Sequence, residues 1–363
     1  MLLYAVVLQA QTHHTDSFFS DAKHDWQQGK MLDIRLRNHN FFKNNEYFND
    51  FVYSYTLLGA FLEPTVSYRF SPSLQLTAGL YMQKYSGMDN LNILKPLYRI
   101  EYRPHKNLSI IMGDLNGGLN HRMMEQIYRF DRHLIDNDEE GVQLVYNNGR
   151  HFADLWLNCD KAAFPKDLEQ EQLQIGFSGE LGIVKTQLYD LRFTSQVLWA
   201  HNGGQDLAVT YQVRSFGSAA SGVKFHRQWQ TRNVSGIAVE SSVVYCSDLS
   251  PEKKMPYTSG FGVHGSLAAY YSYVSFSLGY WYGHHYFSAL GEPLFQSISA
   301  KWRSVIAPER EVISLKLAFT KEVSDGLKIA VHYGAYYGRD IESFDYFYGM
   351  HLIVDGSVFS KYY

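Results

Sequence analysis

The stretch YVSFSLGYWYG, residues 273–283, has one wholly apolar face in a chain that is polar on average. Side chains alternate along an extended strand, so Val274, Phe276, Leu278 and Tyr280 point one way and Ser275, Ser277 and Gly279 the other. A soluble sheet shows Lys, Glu, Thr or Arg to water. Here the less apolar face carries only Ser and Gly, and the apolar face ends in clustered aromatics, including Trp281, of the kind that gather at a membrane interface. Either the strand sits in a sandwich core or its apolar face meets lipid.

The same two-step alternation recurs from Gly29 onward. LDIRLR separates Leu32, Ile34 and Leu36 from Asp33, Arg35 and Arg37. LEPTVSYRF separates Leu62, Val66, Tyr68 and Phe70 from Glu63, Thr65, Ser67 and Arg69, with Pro64 removing one ladder donor. YRIEYR and ISLKLAFT divide likewise, and no helical segment of comparable length competes. Tight connections rich in Pro, Gly, Asn and Asp, at SPS after Phe70, PHKN after Arg103, NNG at Asn147, SGELG at Ser178 and SDG at Ser324, alternate with longer links. This predicts an all-β, transmembrane, antiparallel up-and-down β-barrel of about sixteen strands, with short periplasmic turns and longer extracellular loops. The count falls to about fourteen if two weak segments between residues 184 and 245 are loop. A soluble two-sheet sandwich is the alternative.

Composition agrees with lipid exposure. Aromatics are 16% of the 363 residues, with 28 Tyr and 23 Phe against 9 Pro; charge is 19% and almost balanced at −3, which indicates no nucleic-acid partner. No run reaches the roughly 20 apolar residues of a membrane helix. Residues 1–10, MLLYAVVLQA, read as a truncated signal peptide without a basic leader, the alternative being a buried strand. Residues 11–28 read as an N-terminal periplasmic segment and 29–363 as one barrel domain. Cys159 and Cys246 allow one bridge or two free thiols.

With these segments and turns, and with a final aromatic in FSKYY, the chain resembles the porin-like outer-membrane β-barrels of Gram-negative bacteria. That resemblance covers nearly everything after residue 28. It implies the cell outer membrane, contact with outer-membrane lipid and lipopolysaccharide, and association with copies of itself or other outer-membrane proteins. It also implies that the loop after the fifth strand folds inward and narrows the lumen. An extracellular cap is the alternative for that loop, NGGLNHRMMEQIYRFDRHLIDNDEE, in which Met123, Ile127 and Phe130 recur at helical spacing. Its constriction candidates are Arg122, Glu125, Arg129, Asp131 and Arg132.

Sixteen strands leave room for water unless loops fill it. The charged residues predicted to line the lumen are Asp33, Arg35, Arg37, Glu63, Arg69, Arg99, Glu101, Arg103, Asp154, Asp190, Arg192, Lys316 and Lys328. The arginines lean towards anions, while the same residues also suit salt-bridged ladders between strands. His264, His332 and His351 fall on inward positions of three strands and read as wall residues. The adjacent pairs His13-His14 and His284-His285 point to opposite faces and suit no shared ion. No G-x-S-x-G or H-E-x-x-H motif is present. The expectation is a passive channel for small polar or anionic solutes, with no catalytic residue, cofactor or metal. The alternatives are an accessory barrel with a loop-closed lumen and, third, a barrel hydrolase of lipid or lipopolysaccharide. An inward Ser beside a His would raise the third.

Overall fold

The structure is a computed structural model that describes residues 31–135, 138–203, 212–229, 234–302 and 304–362. The expectations for 1–10, 11–28, His13-His14 and Tyr363 lie outside the described residues. Sixteen strands form one closed antiparallel barrel in which each pairs with its sequence neighbours and the last returns to the first. They are β1 (Met31–Glu46), β2 (Tyr55–Ser71), β3 (Leu74–Tyr85), β4 (Ile93–His105), β5 (Leu108–Asp114), β6 (Glu140–Asn147), β7 (Phe152–Lys161) and β8 (Glu171–Lys185). The second half is β9 (Tyr189–Gly203), β10 (Arg214–Gln228), β11 (Val234–Asp248), β12 (Ser259–Tyr271), β13 (Val274–His284), β14 (Glu309–Ser324), β15 (Leu327–Gly338) and β16 (Ser343–Tyr362). Closure through β1 and β16 leaves no open edge, as a membrane-spanning sheet requires.

The burial pattern is that of a protein turned inside out. Val274, Phe276, Leu278 and Tyr280 are exposed on the outer wall, as are Leu144, Leu155, Val243, Leu267 and Ile313. Arg37, Glu63, Arg99, Glu101, Asp154, Glu180 and Lys224 are buried within. The opening question is therefore answered in favour of lipid. Two local expectations change. Trp281 points inward and is fully buried, donating from Nε1 to the Phe295 carbonyl at 3.0 Å, because it stands one step out of phase with Tyr280. SGELG lies within β8, and the turn after it falls between Lys185 and Tyr189; its two glycines bracket a strand that continues through them. Cys159 and Cys246 are both free.

The hydrophobic core occupies the long-loop end of the lumen. Loop residues Phe51, Leu115, Ile127, Tyr128, Tyr286, Leu294 and Phe295 pack there against inward-facing Trp156, Trp281 and Tyr336. Glycines make the room: a Cβ on Gly176 would strike the Trp156 ring, and one on Gly262 would strike Trp281. These indoles can thus lie flat against the wall and leave the centre to the loops.

Candidate functional site: a plugged lumen and its cavity

The chain turns into the lumen at the end of β5. Gly113 sits at φ +96, where a Cβ would collide with the Tyr98 carbonyl, so this bend requires glycine. Residues 115–135 then cross the lumen as a plug, to which Glu139 also belongs. The helical spacing of Met123, Ile127 and Phe130 does not become a helix. Gly118–His121 form a 310 turn and Arg132–Ile135 one helical turn, with an isolated turn between them closed by the Tyr128 amide on the Met124 carbonyl at 2.9 Å. Strand contacts on all sides replace the continuous ladder a longer helix would supply.

Four ionic anchors fix the plug, the fourth being Glu125. At the first, His121 is fully buried and stacked on Trp156, with ring centroids 3.6 Å apart. Its Nδ1 donates to Asp154 at 2.7 Å and its Nε2 to Glu139 at 2.8 Å, while the Tyr128 hydroxyl donates to the same glutamate. Burial alone would lower the His121 pKa, but the two carboxylates outweigh it and raise it to about 9. Burial would likewise raise Glu139; His121, Arg132 and Tyr128 bring it down to about 2. At the second, Arg122 bonds Glu180 at 3.3 Å and lies over the Phe152 ring. At the third, Asp131 is buried between Lys43, Asn45 and Tyr55. Glu125 reaches across to Lys316 at 2.5 Å and to the Tyr336 hydroxyl at 3.1 Å.

A second loop, residues 285–302, lies against the plug. The Tyr286 hydroxyl donates to the Gln126 carbonyl at 2.9 Å and the Arg129 amide to the Leu290 carbonyl at 2.9 Å. Arg310 holds this loop through the Leu294 carbonyl at 2.7 Å and is itself paired with Asp340 at 2.5 Å.

The predicted wall residues are mostly in pairs. Arg35 meets Asp355 at 2.6 Å, Arg37 meets Glu63 at 3.2 Å, and Arg99 and Arg103 flank Glu101 at 2.9 Å each. Arg69 bonds Gln75, Asp33 accepts from Ser360, and Arg192 bridges Asp190 and Glu180. Among the constriction candidates, Arg122, Glu125 and Asp131 are anchors. Arg132 lies over Tyr128 with Asp160 at 3.9 Å, and Arg129 joins the second loop through its backbone. Sequence reasoning missed His121, Glu139, Tyr128, Lys43 and Arg310 as organising residues. The period of the strands marks Lys43 and Arg310 as inward, whereas nothing local shows which loop residue meets them.

Below the plug, towards the short turns, a cavity of about 200 Å³ runs along β11–β15. Leu119, Met123 and Phe130 form its roof, and Ser266, Ser275, Ser277, Ser314 and Ala268 its wall, together with His264, Glu240 and Lys316. Gly279 is opposite Ser266 on one side and Ser314 on the other. A Cβ placed there would be 2.5 Å from Ser314 Oγ and 3.6 Å from His264 Nε2, so the hydroxyl on β14 and the imidazole on β12 stand within about 6 Å of each other, across a β13 position that carries no side chain. A separate file of histidines joins β1, β16 and β15: His39 Nε2 to His351 Nδ1 at 2.9 Å, and His351 Nε2 to His332 Nε2 at 3.2 Å. It uses both nitrogens of the central ring, so it forms a relay rather than a chelate.

The sequence profile of the lipid A 3'-O-deacylase-type family matches residues 23–362. The chain belongs to that family. The expectation of a barrel without enzymatic activity is corrected on this ground, since the family is described by a hydrolytic activity; passive wall chemistry, which needs no motif, had left the enzymatic reading last. No curated protein matches in sequence. Among solved structures, a loop-deletion form of OmpT, an outer membrane protein of Vibrio cholerae, is similar with 11% identity, a TM-score of 0.53, and coverage of 90% of this chain and 100% of that one. The outer membrane protein OprD of Pseudomonas aeruginosa is similar with 7% identity, a TM-score of 0.51, and coverage of 90% and 94%. This deacylase-type chain is thus built on a porin-like barrel of the outer membrane.

Proposed function

We propose that the protein is an outer-membrane hydrolase that removes an acyl chain from an ester of an acylated glycolipid of the lipid A type. The observation that carries this reading is the pairing of Ser314 with His264 across Gly279 inside the cavity, in a member of a deacylase-type family. A half-buried imidazole close to a hydroxyl is the minimal unit for nucleophilic acyl transfer. His264 takes the Ser314 proton as Oγ adds to the ester carbonyl. The sugar oxygen then leaves with that proton, and water, activated by the same imidazole, releases the fatty acid and restores the serine. The two groups must close on each other when substrate is bound, which is common for such pairs before the complex forms. The plug's apolar underside at Leu119, Met123 and Phe130 suits the acyl chain, and the serine wall suits the sugar.

A second reading, diffusion of small polar solutes past the plug, is supported by the polar wall and the porin-like fold. One pair of measurements separates the two. The folded barrel is incubated with vesicles containing lipid A and the products are weighed by mass spectrometry, and single-channel conductance is recorded on the same preparation. Loss of one acyl chain, abolished in S314A and in H264Q, supports hydrolysis. Unchanged lipid with steady conductance steps moves the function to transport. Cleavage that survives in S314A and H264Q but not in H121Q places the chemistry in the plug instead.

A further inference from the structure

Glu292 is the outlier among the carboxylates where the two loops meet. Asp131 has Lys43 and Glu125 has Lys316, but Glu292 is 5% exposed and, among the described residues, no hydrogen bond or ion pair reaches its carboxylate. Its backbone is fixed: the Glu292 amide donates to the Glu125 carbonyl at 2.9 Å, and the residue caps the short turn Pro293–Phe295. The contact between the loops consists of neutral hydrogen bonds, namely this one, Arg129 to Leu290, Tyr286 to Gln126 and Ser288 to Ile127. No ion pair joins the two loops among the described residues.

We propose that Glu292 is a proton-operated latch, which seats the 285–302 loop on the plug when neutral and drives the two apart when ionised, opening the long-loop end of the lumen. The groups facing it are Glu125, Arg129 and Asp131 of the plug, Lys43 of β1, Tyr47 of the link after β1, Tyr55 of β2 and Tyr336 of β15. Burial, with Asp131 and Glu125 alongside, pushes the Glu292 carboxyl up to about 7 against the opposing pull of Lys43 and Arg129. A carboxyl raised in this way costs nothing while both states are protonated; its penalty sets in near the ordinary carboxylate value of about 4.5, grows until about pH 7 and is constant above it. The latch is therefore closed in acid and fully released once pH has passed neutrality. It concerns access to the lumen and stands whether or not the cavity hydrolyses esters.

Hydrogen–deuterium exchange on the full-length barrel in lipid tests this. Protection of the plug amides, corrected for intrinsic exchange, is expected to fall between about pH 4.5 and about 7 and to level off above, and conductance to rise over the same interval. E292Q is expected to remain protected throughout, and D131N to move the midpoint to lower pH by removing a neighbouring negative charge. Wild-type protection that does not change between about pH 4.5 and about 7 overturns the proposal, as does an unaltered pH profile in E292Q. If E292Q fails to give the heat-modifiable band of a folded barrel, D131N and E125Q decide, and a midpoint unmoved in both refutes the latch.

Discussion

The two sides of the lumen wall differ in how they use inward positions. From β1 to β9 these carry Arg, Lys, Glu, Asp and Gln, nearly all drawn into pairs with each other or with the plug, and the space between Arg37, Glu63 and Arg99 shrinks to a cavity of about 30 Å³. From β12 to β14 the positions around the cavity are mainly Ser, Gly and Ala, with His264 and Lys316 among them, and the space stays open. Charge inside this barrel is therefore mainly adhesive, and the side with the least charge is the side with room for a ligand. A buried charge tolerates loss of its partner poorly, whereas a small side chain on an open wall can be changed at little cost to the fold.

The sharpest way to break that contrast is at His121. H121A leaves Glu139 and Asp154 buried without their cation and is expected to lower barrel stability by about 3–5 kcal/mol in denaturant unfolding, while H264A, half-buried at the cavity, changes it little. Equal losses would erase the distinction between the sides. The pH dependence sharpens it. The raised His121 contributes fully below about pH 6.5, and that contribution disappears as pH rises through about 9. The depressed Glu139 contributes above about pH 4.5 and is lost as pH falls through about 2. The plug's anchor is thus strongest in the interval between, and H121A should flatten the alkaline limb of the melting profile. Filling the open side comes next: S277L is expected to cost about 1–3 kcal/mol at most and to abolish cleavage or conductance while plug protection is retained. The smallest effect is expected at the arginine ladder. Arg99 and Arg103 already share Glu101, so neutralising Arg103, the more exposed of the two, should cost about 0–1 kcal/mol and leave ion selectivity in bilayer recordings nearly unchanged. A clear loss of anion preference would return the ladder to a role in selection.

Much of the barrel is legible in the sequence because alternation along a strand is local. Val274 to Tyr280 declare their outer face within a few residues, and Asp154 and Lys316 declare themselves inward in the same way. The return of β16 to β1 follows from an even strand count. What is not legible is pairing across the lumen. His121 meets Asp154, 33 residues on, and Glu125 meets Lys316, 191 residues on, only once the strands have closed around the plug, and no local spacing encodes those contacts. The loop after β5 could be marked as constricting, but its anchors could not. Trp281 was misplaced because an aromatic next to Tyr280 suits the interface by composition, whereas its neighbour's phase puts it inside, in the room left by Gly262. The Ser314–His264 pair escaped because it spans three strands and matches no linear motif.

The stacking of His121 on Trp156 also has an optical meaning. The indole lies face to face with an imidazole whose two nitrogens are both held by carboxylates, in a place that water does not reach. Departure of the plug strips that ring away and wets the indole, so the emission of a single tryptophan changes in colour and yield. The protein thus carries its own lamp at the point where the plug is fastened, and the state of the lumen can be read in light without any label being added.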